Sequence, residues 1–228
     1  MESNDAIAPP AVPDPAPMPV DRVAWREQLG LSNFVNTYYQ YRDLQTLPGC
    51  KTVLIVGPGQ GFEALVLRWR GYEVTTFDID DTFRPDHQGS VHDLTRFGNR
   101  SFDAVIASHV LEHLAVPYLD TTLGELARVA RHALVYLPVH GRHAQVRVLP
   151  GVRGLDFSLV LDVFNWLEKP DGITPRYMRG QHFWEVGMRG FSVRQLKTRF
   201  SRCFTVVSAY RNRDWLPSQN FVLRSKLP

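Results

Sequence analysis

The sequence predicts an α/β fold in which helices cover both faces of a largely parallel sheet. Short apolar runs bounded by glycine alternate along the chain with stretches whose apolar residues recur at helical spacing. Parallel strands are buried on both faces and form continuous apolar runs, so this alternation is typical of a parallel sheet. A glycine-rich turn after the first run and an acidic residue ending the second indicate a ligand crevice at the carboxyl edge of that sheet.

The composition is that of a globular protein, with residues 23–228 expected to form a single domain. The 228 residues are 44% hydrophobic and 21% charged, which excludes a disordered, collagen-like or disulfide-rich chain. No apolar run of about 18 residues and no secretory leader is visible, so no membrane span is expected. The two cysteines, Cys50 and Cys203, are too few for a disulfide framework and favour a reducing, cytoplasmic location.

The N-terminal region divides into a tail and a helical segment. Residues 1–22 contain six prolines, and proline fixes φ and removes backbone donors, so an extended, mobile tail is expected. The apolar residues of Asp21–Leu44 have helical spacing, with a break at Gly30 and a cap at Ser32. The region 23–47 is therefore expected to form a helical lid on the domain.

The middle of the chain supplies most of the predicted sheet. In chain order, the pattern predicts strand Thr52–Val56, helix Phe62–Trp69, strand Glu73–Asp78, strand Asp103–Ser108, helix Thr121–Arg131 and strand Ala133–Leu137. Residues 138–190 break this rhythm with prolines, glycines and aromatic residues and are expected to form an insertion on the substrate side. The rhythm resumes with Ser192 as the cap of helix Val193–Arg202. Strands Phe204–Ala209 and Phe221–Arg224 then follow one helix, which predicts an antiparallel final pair.

The sharpest functional signal is the glycine-rich loop after the first strand. Glycine stands at Gly57, Gly59 and Gly61, where it allows a tight turn and lets a ligand approach the bare backbone at a helix start. A dinucleotide fingerprint needs glycine where Phe62 stands, and the lysine of a P-loop is absent. Asp78 ends the second strand, where a carboxylate can accept both ribose hydroxyls. A structural turn with a surface aspartate is the alternative.

Several stretches of the chain resemble class I S-adenosylmethionine-dependent methyltransferases, specifically the branch called methyltransferase type 11. They are VLIVGPGQGF, EVTTFDID, GSVHDL, FDAVIASHVLEHL and ELARVARHALVYLP. The resemblance covers residues 50–140 well and 180–225 more loosely. It implies a Rossmann-like, seven-stranded, mostly parallel sheet with helices on both faces and an antiparallel last strand. It also implies a transferase that uses S-adenosyl-L-methionine as its cofactor.

The same resemblance assigns residues to the cofactor. It implies that the glycine loop packs against the methionine part of the cofactor and that the acid at the end of the second strand binds the ribose. It also implies that the residues after the third strand lie at the edge of the adenine, and that the end of the fourth strand closes the other side of the crevice. The residues so implied are Gly57, Pro58, Gly59 and Gly61, then Asp78 with Ile79, then Ser90 with Val91, and finally Ser108 with His109. The chain departs from the family pattern at Ile55, where an acid is common, and at Ser90, where many members have aspartate.

Two tyrosines of the expected lid are further candidates for the cofactor. Tyr38 and Tyr39 lie on the predicted helix, and aromatic faces attract cations such as a sulfonium. These rings could therefore cover the cofactor. Simple packing of an amphipathic helix on the sheet is the alternative.

The residues from His109 to His113 match the H-x-x-E-H pattern of one class of zinc protease. On a helix the two histidines would share a face. No further ligand set is visible in a methyltransferase-like frame, so no metal is predicted. Either histidine is instead a candidate to face the substrate as a base or an orienting group. The alternative is that one packs and the other bonds locally.

The expected insertion offers the other candidate catalytic groups. His140 follows the fifth strand beside the expected substrate cleft, and Tyr177 belongs to the aromatic residues of the insertion. Glu185 stands with His182 and Trp184, and a glutamate between aromatic residues is expected to have a raised pKa, which suits proton transfer. This cluster could equally be a structural anchor.

These observations favour a small-molecule methyltransferase of specialised metabolism. S-adenosylmethionine carries an activated methyl group, so in-line transfer needs mainly the alignment of a nucleophile. One alternative is an enzyme that cyclises the cofactor itself to azetidine-2-carboxylate and methylthioadenosine, and another is a catalytically silent ligand-binding homologue. Nucleic acid is not expected as a partner, because the basic residues form no dense patch with stacking aromatics. The sequence predicts no particular oligomeric state.

Overall fold

The computed structural model of the protein describes residues 29–148, 157–163, 169–178 and 180–228. The tail expected at 1–22 and the predicted helix as far as residue 28 lie outside the described residues. Within the described ranges, no helix is long and apolar enough to cross a lipid bilayer. Both cysteines are free thiols.

Seven strands of the described chain form one sheet, and two more form a separate hairpin. In chain order they are β1 (Thr52–Val56), β2 (Glu73–Asp78), β3 (His87–Gln88), β4 (Phe102–Ser108), β5 (Ala130–Pro138), β6 (Arg142–Val148), β7 (Phe157–Val163), β8 (Phe204–Arg211) and β9 (Ser218–Ser225). The order across the main sheet is β3-β2-β1-β4-β5-β9-β8. Pairs among β1–β5 are parallel, whereas β9 is antiparallel to both β5 and β8. The predicted seven-stranded, mostly parallel sheet with an antiparallel last strand is confirmed.

Helices cover both faces of this sheet, as predicted. They are α1 (Leu31–Gln45), α2 (Phe62–Trp69), α3 (Val116–Val129) and α4 (Val193–Phe200). Successive residues of a strand point to opposite faces. On β1, Val53 and Ile55 join the core that α1 and α2 cover, and Leu54 and Val56 join the core that α3 and α4 cover. Because the strand is buried on both sides, its sequence is apolar without interruption.

The start of α1 differs from the predicted one. The helix begins at Leu31, and its N-cap is Gly30, not Ser32. The Oδ1 of Asn33 accepts a hydrogen bond from the Gly30 N–H at 3.0 Å, so the backbone donor just before the first turn has a partner. An N-cap serine would accept an N–H of the first turn, whereas Asn33 accepts the N–H of the cap residue itself.

The other helices show where sequence signals for a helix start succeed and fail. Helix α3 begins at Val116, five residues before the predicted Thr121, with Pro117 in its first turn. Proline is tolerated there because the missing N–H has no intrahelical partner. Helix α4 begins as predicted after Ser192, whose hydroxyl accepts the Gln195 N–H.

The expected insertion at 138–190 leaves the sheet and then returns to its carboxyl edge. It first forms the antiparallel hairpin β6–β7. Its later part is tied back by backbone hydrogen bonds from Phe183 N–H to the Glu112 carbonyl and from Val186 N–H to the Pro138 carbonyl, both at 2.9 Å. These bonds hold the insertion against the turns that follow β4 and β5.

A buried carboxylate fastens α1 to the sheet. Asp43 is 3% exposed and accepts hydrogen bonds from the Tyr136 hydroxyl of β5, at 2.7 Å, and from the Tyr210 hydroxyl of β8. Burial, followed by the negative charge of Asp43, raises the pKa of Tyr136 well above its ordinary value. The hydroxyl therefore keeps the proton that it donates. Arg42 adds an ion pair with Asp43 at 2.9 Å, so one carboxylate joins the helix to two strands.

We expect Tyr136→Phe to lower the free energy of unfolding by about 1.5–3 kcal/mol, because it removes a buried hydrogen bond to a charged acceptor. Urea unfolding measures the loss. Tyr38→Phe is the matched control, since the Tyr38 side chain is exposed and its change should stay within about 0.5 kcal/mol. Equal effects of the two substitutions would contradict a fastening role for Asp43.

Candidate active site

The carboxyl ends of four parallel strands meet at one edge of the sheet. The register pairs Val56 at the end of β1 with Phe77 on β2 and with Ala107 on β4, and it pairs Ser108 at the end of β4 with Tyr136 on β5. The strand order reverses between β1 and β4. The connections that follow two such neighbouring strands go to opposite faces of the sheet, which leaves a crevice between them. Ligands bind in this crevice in open α/β sheets. The glycine loop, Asp78 and Ser108 therefore lie at the same place, as predicted.

The glycine loop has the left-handed backbone that its sequence suggests. Gly57, Gly59 and Gly61 have φ values of 65°, 49° and 74°. A Cβ atom on Gly57 would lie 2.5 Å from Cγ2 of Val110, so the turn after β4 packs directly on the bare backbone. Gly61 is the N-cap of α2, and Pro58 precedes it with its carbonyl accepting the Gly61 N–H at 2.8 Å. At its three glycines the loop thus presents bare backbone to its neighbours.

Asp78 faces this loop from the end of β2. Its side chain is largely buried, and the Asp80 N–H donates to its Oδ1 at 2.9 Å. Burial raises the pKa of Asp78 above its usual value, while backbone N–H groups of Asp80, Gly59 and Ile79 oppose that rise. The Gly57 N–H donates to the carbonyl of Phe77, the residue before Asp78, at 2.9 Å, which brings the loop and the acid together. A ligand that donates hydroxyl groups here would relieve the cost of burying the charge.

The residues predicted for the adenine edge follow β3. Gly89 N–H donates to the Asp78 carbonyl at 2.8 Å, which places the next two residues beside the acid. Ser90 is half-buried, and its hydroxyl lies 2.7 Å from Nδ1 of His92. The Val91 side chain is 8% exposed and belongs to the hydrophobic core. Only the backbone of Val91 is therefore left for a ligand.

His109 begins the turn after β4 with an unusual backbone. Its φ is 56°, and its N–H donates to the Tyr136 carbonyl at 2.9 Å. Burial, and then the neighbouring histidines, lowers the pKa of His109 to about 4, so the ring is neutral near pH 7. Its Nδ1 lies 3.7 Å from Oε1 of Glu112. Because the ring is neutral, this contact is not an ion pair.

His109 and His113 do not lie on one α-helix, the arrangement in which they would share a face. After the left-handed residue His109, the chain forms only a short 3₁₀ turn, Leu111–His113. The histidines are therefore not separated by one α-helical turn. The Glu112 side chain between them is fully buried.

The insertion brings its own histidines and Glu185 to this turn. Nδ1 of His182 lies 2.7 Å from Oε1 of Glu185, and Nδ1 of His140 lies 2.8 Å from Oε2 of the same carboxylate. The rings of His113 and His182 meet edge to face at 4.7 Å, and those of His140 and Tyr177 at 5.5 Å. Four of the five predicted catalytic candidates thus join one cluster: His113, His140, Tyr177 and Glu185. The fifth, His109, adjoins this cluster through Glu112.

The expected raised pKa of Glu185 is wrong. Burial does raise it, but hydrogen bonds from His182 and His140 outweigh burial and lower the pKa of Glu185 below its usual value. The glutamate with the raised pKa is Glu112, chiefly because of its burial. The difference lies in hydrogen bonds, since neither oxygen of Glu112 has a hydrogen-bond partner among the described residues.

The two tyrosines of the lid have different surroundings. Tyr38 is 59% exposed, whereas Tyr39 is 4% exposed and donates its hydroxyl to Asp214 at 2.8 Å. The ring of Tyr39 stacks on Tyr210 at 6.0 Å. This placement favours packing for Tyr39, the alternative that the sequence left open. The start of α1 does reach the glycine loop, because its Phe34 ring meets Phe62, the first residue of α2, at 4.8 Å.

Sequence reasoning missed two polar residues on the inner side of α1. Thr37 and Gln40 are 3% and 0% exposed, and the Thr37 hydroxyl and both amide atoms of Gln40 have no hydrogen-bond partner in the described part of the chain. Buried polar groups are costly unless they are paired, so these two are candidates for ligand contact. The sequence did contain a signal for them: Thr37 and Gln40 are three residues apart, so both lie on the apolar side of the predicted helix, where polar residues are unusual.

Residues 54–133 match the family described as a methyltransferase domain. This part of the chain is a methyltransferase domain. The match covers about a third of the chain, and it agrees with the predicted resemblance to class I S-adenosylmethionine-dependent methyltransferases. The predicted methyltransferase domain is confirmed over these residues. No curated protein sequence matches the chain.

Solved structures show the same fold over almost the whole chain. The PH0226 protein of Pyrococcus horikoshii OT3 is 14% identical over 88% of this chain and 93% of its own, with a TM-score of 0.56. The 1,6-didemethyltoxoflavin-N1-methyltransferase of Burkholderia thailandensis, solved with 1,6-didemethyltoxoflavin and S-adenosylhomocysteine, is 16% identical over 92% of both chains, with a TM-score of 0.53. The glycopeptide N-methyltransferase MtfA, solved with S-adenosylmethionine, is 14% identical over 84% of this chain and 93% of its own, with a TM-score of 0.54. At sequence identities this low, the structural likeness establishes a common fold and nothing more.

We expect Gly57→Ala to destabilise the methyltransferase domain more than Gly71→Ala does. Both substitutions put a Cβ on left-handed backbone, which costs roughly 1–2 kcal/mol. At Gly57 the new atom also overlaps Val110, which adds about 1–3 kcal/mol, whereas at Gly71 no atom lies within 4 Å. Urea unfolding measures both losses, and equal losses would contradict the close approach between the glycine loop and the turn after β4.

Proposed function

We propose that this protein transfers the methyl group of S-adenosylmethionine to a nucleophilic atom of a small molecule. The observation that carries the proposal is that the glycine loop and the Asp78 carboxylate lie together at the reversal of strand order, within a methyltransferase domain. Bare backbone and a carboxylate at this spacing suit the two ends of one nucleoside: the amino-acid part on the loop and the ribose on the acid.

Positioning supplies most of the catalysis in this proposal. The sulfonium already activates the methyl group, so the protein has to hold the nucleophile in line with the methyl–sulfur bond. Proximity and orientation can lower the barrier by about 7–11 kcal/mol. Gly57, Pro58, Gly59 and Gly61 fix the methionine end, and Asp78 with Ile79 fixes the ribose. Ser108 and the Ser90–Val91 backbone close the adenosine side.

His109 is the proposed proton acceptor for a nucleophile that carries a proton. It lies at the end of β4, beside the reversal of strand order, and its Nε2 is buried without a hydrogen-bond partner among the described residues. Its neutral form has one ring nitrogen with a free lone pair. General-base assistance of this kind adds roughly 10²–10⁴-fold to a rate. His140 and Tyr177 are further candidates on the insertion side.

A small acceptor is favoured by what covers the crevice. Helix α1 lies over one side, and the insertion is held against the turns after β4 and β5 on the other. The neighbour of similar fold that was solved with 1,6-didemethyltoxoflavin acts on a small molecule. Specialised metabolism is the setting that such acceptors suggest. The two free thiols are consistent with the cytoplasm.

The proposed function is tested by identifying the product made from the cofactor. With S-adenosylmethionine and a panel of small oxygen, nitrogen and carbon nucleophiles, we expect adenosylhomocysteine to appear only when an acceptor is present. Methylthioadenosine formed from the cofactor alone would identify cyclisation or lysis instead of methyl transfer. Binding of the cofactor with no product from any acceptor would identify the silent homologue.

Asp78→Asn should weaken the binding of S-adenosylhomocysteine by roughly 100-fold, because one acceptor oxygen becomes an NH₂ donor and the other loses its charge, and a hydrogen bond to a charged group contributes about 1.5–3 kcal/mol. Isothermal titration calorimetry measures the change. The matched control is Asp81→Asn, an exposed aspartate three residues away, whose affinity should equal that of the unsubstituted protein. Unchanged affinity in Asp78→Asn would remove Asp78 from the cofactor site.

A further inference from the structure

We propose that Glu112, His113 and His182 bind a divalent transition-metal ion, with Zn²⁺ as the test ion. The ligand atoms that these residues offer all lie within 4.8 Å of one another. Two of the residues come from the turn after β4, and the third comes from the insertion. This inference goes beyond methyl transfer and does not depend on it, because it rests on side chains that the proposed cofactor site does not use.

Both histidines are held in the ring form that a metal requires. Nδ1 of His113 lies 3.0 Å from the Gln181 carbonyl, which can only accept, so Nδ1 carries the proton. Nδ1 of His182 lies 2.7 Å from the Glu185 carboxylate and likewise donates to it. In each neutral ring the lone pair is therefore on Nε2. A metal-binding histidine characteristically donates its other N–H to a carbonyl or a carboxylate in this way.

Glu112 supplies the negative ligand. Its side chain is fully buried, and neither carboxylate oxygen has a hydrogen-bond partner among the described residues. Oε1 lies 4.0 Å from Nε2 of His182, which is too long for a hydrogen bond but close enough to share an ion. A buried carboxylate is stable only when it is paired, protonated or bound to a metal. A cation bound by Glu112 together with the Nε2 lone pairs of His113 and His182 would pair this carboxylate.

The spacing suits an ion of the size of Zn²⁺. Bonds of about 2.0–2.2 Å in a tetrahedral arrangement hold ligand atoms roughly 3.4 Å apart. The ligand atoms lie within 4.8 Å of one another, so binding of the ion has to bring them closer through side-chain rotation. Two histidines and one glutamate are a known zinc ligand set, and they leave a fourth position open to water or to an acceptor. No metal was predicted from the sequence because no further ligand set was visible in a methyltransferase-like frame, and His182 lies far along the chain from the other two residues.

Glu185 is the positioning residue of this site. It accepts from Nδ1 of His182 and also contacts Nδ1 of His140 at 2.8 Å, so it fixes the direction of the His182 ring. Because a bound ion would join the turn after β4 to the insertion, we also expect metal binding to raise the thermal unfolding temperature.

The test is metal binding by the untagged full-length chain after treatment with a chelator. We expect calorimetric titration with Zn²⁺ to give one saturable site per chain. Co²⁺ is expected to compete for this site and to show the visible absorption of a four-coordinate ion. Absence of a saturable one-to-one site in the unsubstituted protein would overturn the proposal. Methyltransferase activity plays no part in these readouts, so failure of the proposed function would not alter them.

Variants locate the site. Glu112→Gln keeps the shape of the side chain and removes its charge, and His182→Asn removes one ring; each is expected to weaken Zn²⁺ binding by more than about 100-fold. Glu185→Gln should weaken it by about 10- to 100-fold, the usual effect of losing the group that orients a ligand. The matched control is His132→Gln, because His132 pairs with Ala104 near the other edge of the sheet and should leave the affinity unchanged.

Each variant is first checked by circular dichroism, and binding is compared only among folded proteins. Should Glu112→Gln fail to fold, His182→Asn and Glu185→Gln still decide the question. Affinity that stays within twofold of the unsubstituted protein in both of them, or an equal loss in His132→Gln, would overturn the assignment.

Discussion

The pairing of β1 with both β2 and β4 decides where the functional groups of this protein lie. Each backbone hydrogen bond across these strands fixes the register, and the register carries Gly57, Asp78 and Ser108 to one edge. Because the chain leaves β1 and β4 on opposite sides, the edge opens there and nowhere between β1 and β2. The core on both faces keeps the strands from sliding, since a slip by one residue would turn every apolar side chain to the wrong face.

Two buried carboxylates on this edge show how differently a fold can treat the same chemical group. Asp43 receives two tyrosine hydroxyls and an arginine, so its negative charge is balanced and it ties α1 to β5 and β8. Glu112 is equally deep, but no described group donates a hydrogen bond to it. A satisfied carboxylate strengthens the fold, whereas an unsatisfied one costs free energy that only a ligand, a proton or an ion can recover. The first arrangement is structural, and the second indicates a site.

Helix α1 and the insertion cover the crevice at the sheet edge, and each is held in place near one of the two buried carboxylates. Helix α1, held by Asp43, brings Thr37 and Gln40 inward from one side, and the insertion, held by Phe183 and Val186, brings His182 and Glu185 from the other. In the proposed function the sheet holds the cofactor, while these two additions provide polar side chains that can contact an acceptor. This division agrees with the general pattern in which a rigid sheet positions a reaction and its connecting segments select the substrate.

The sequence by itself determined the parts that depend on neighbouring residues. The limits of β1, α2 and β2, the glycine loop and the position of Asp78 all follow from hydrophobic period, turn chemistry and spacing within a short stretch, and each was predicted correctly. Only the tertiary structure decided that His109 is not on a helix, that Glu112 and not Glu185 has the raised pKa, and that His182 lies beside His113. These properties depend on burial and on which distant segments come into contact. The path of the insertion sets both, because its return to the turn after β4 takes water away from Glu112 and gives Glu185 its hydrogen bonds.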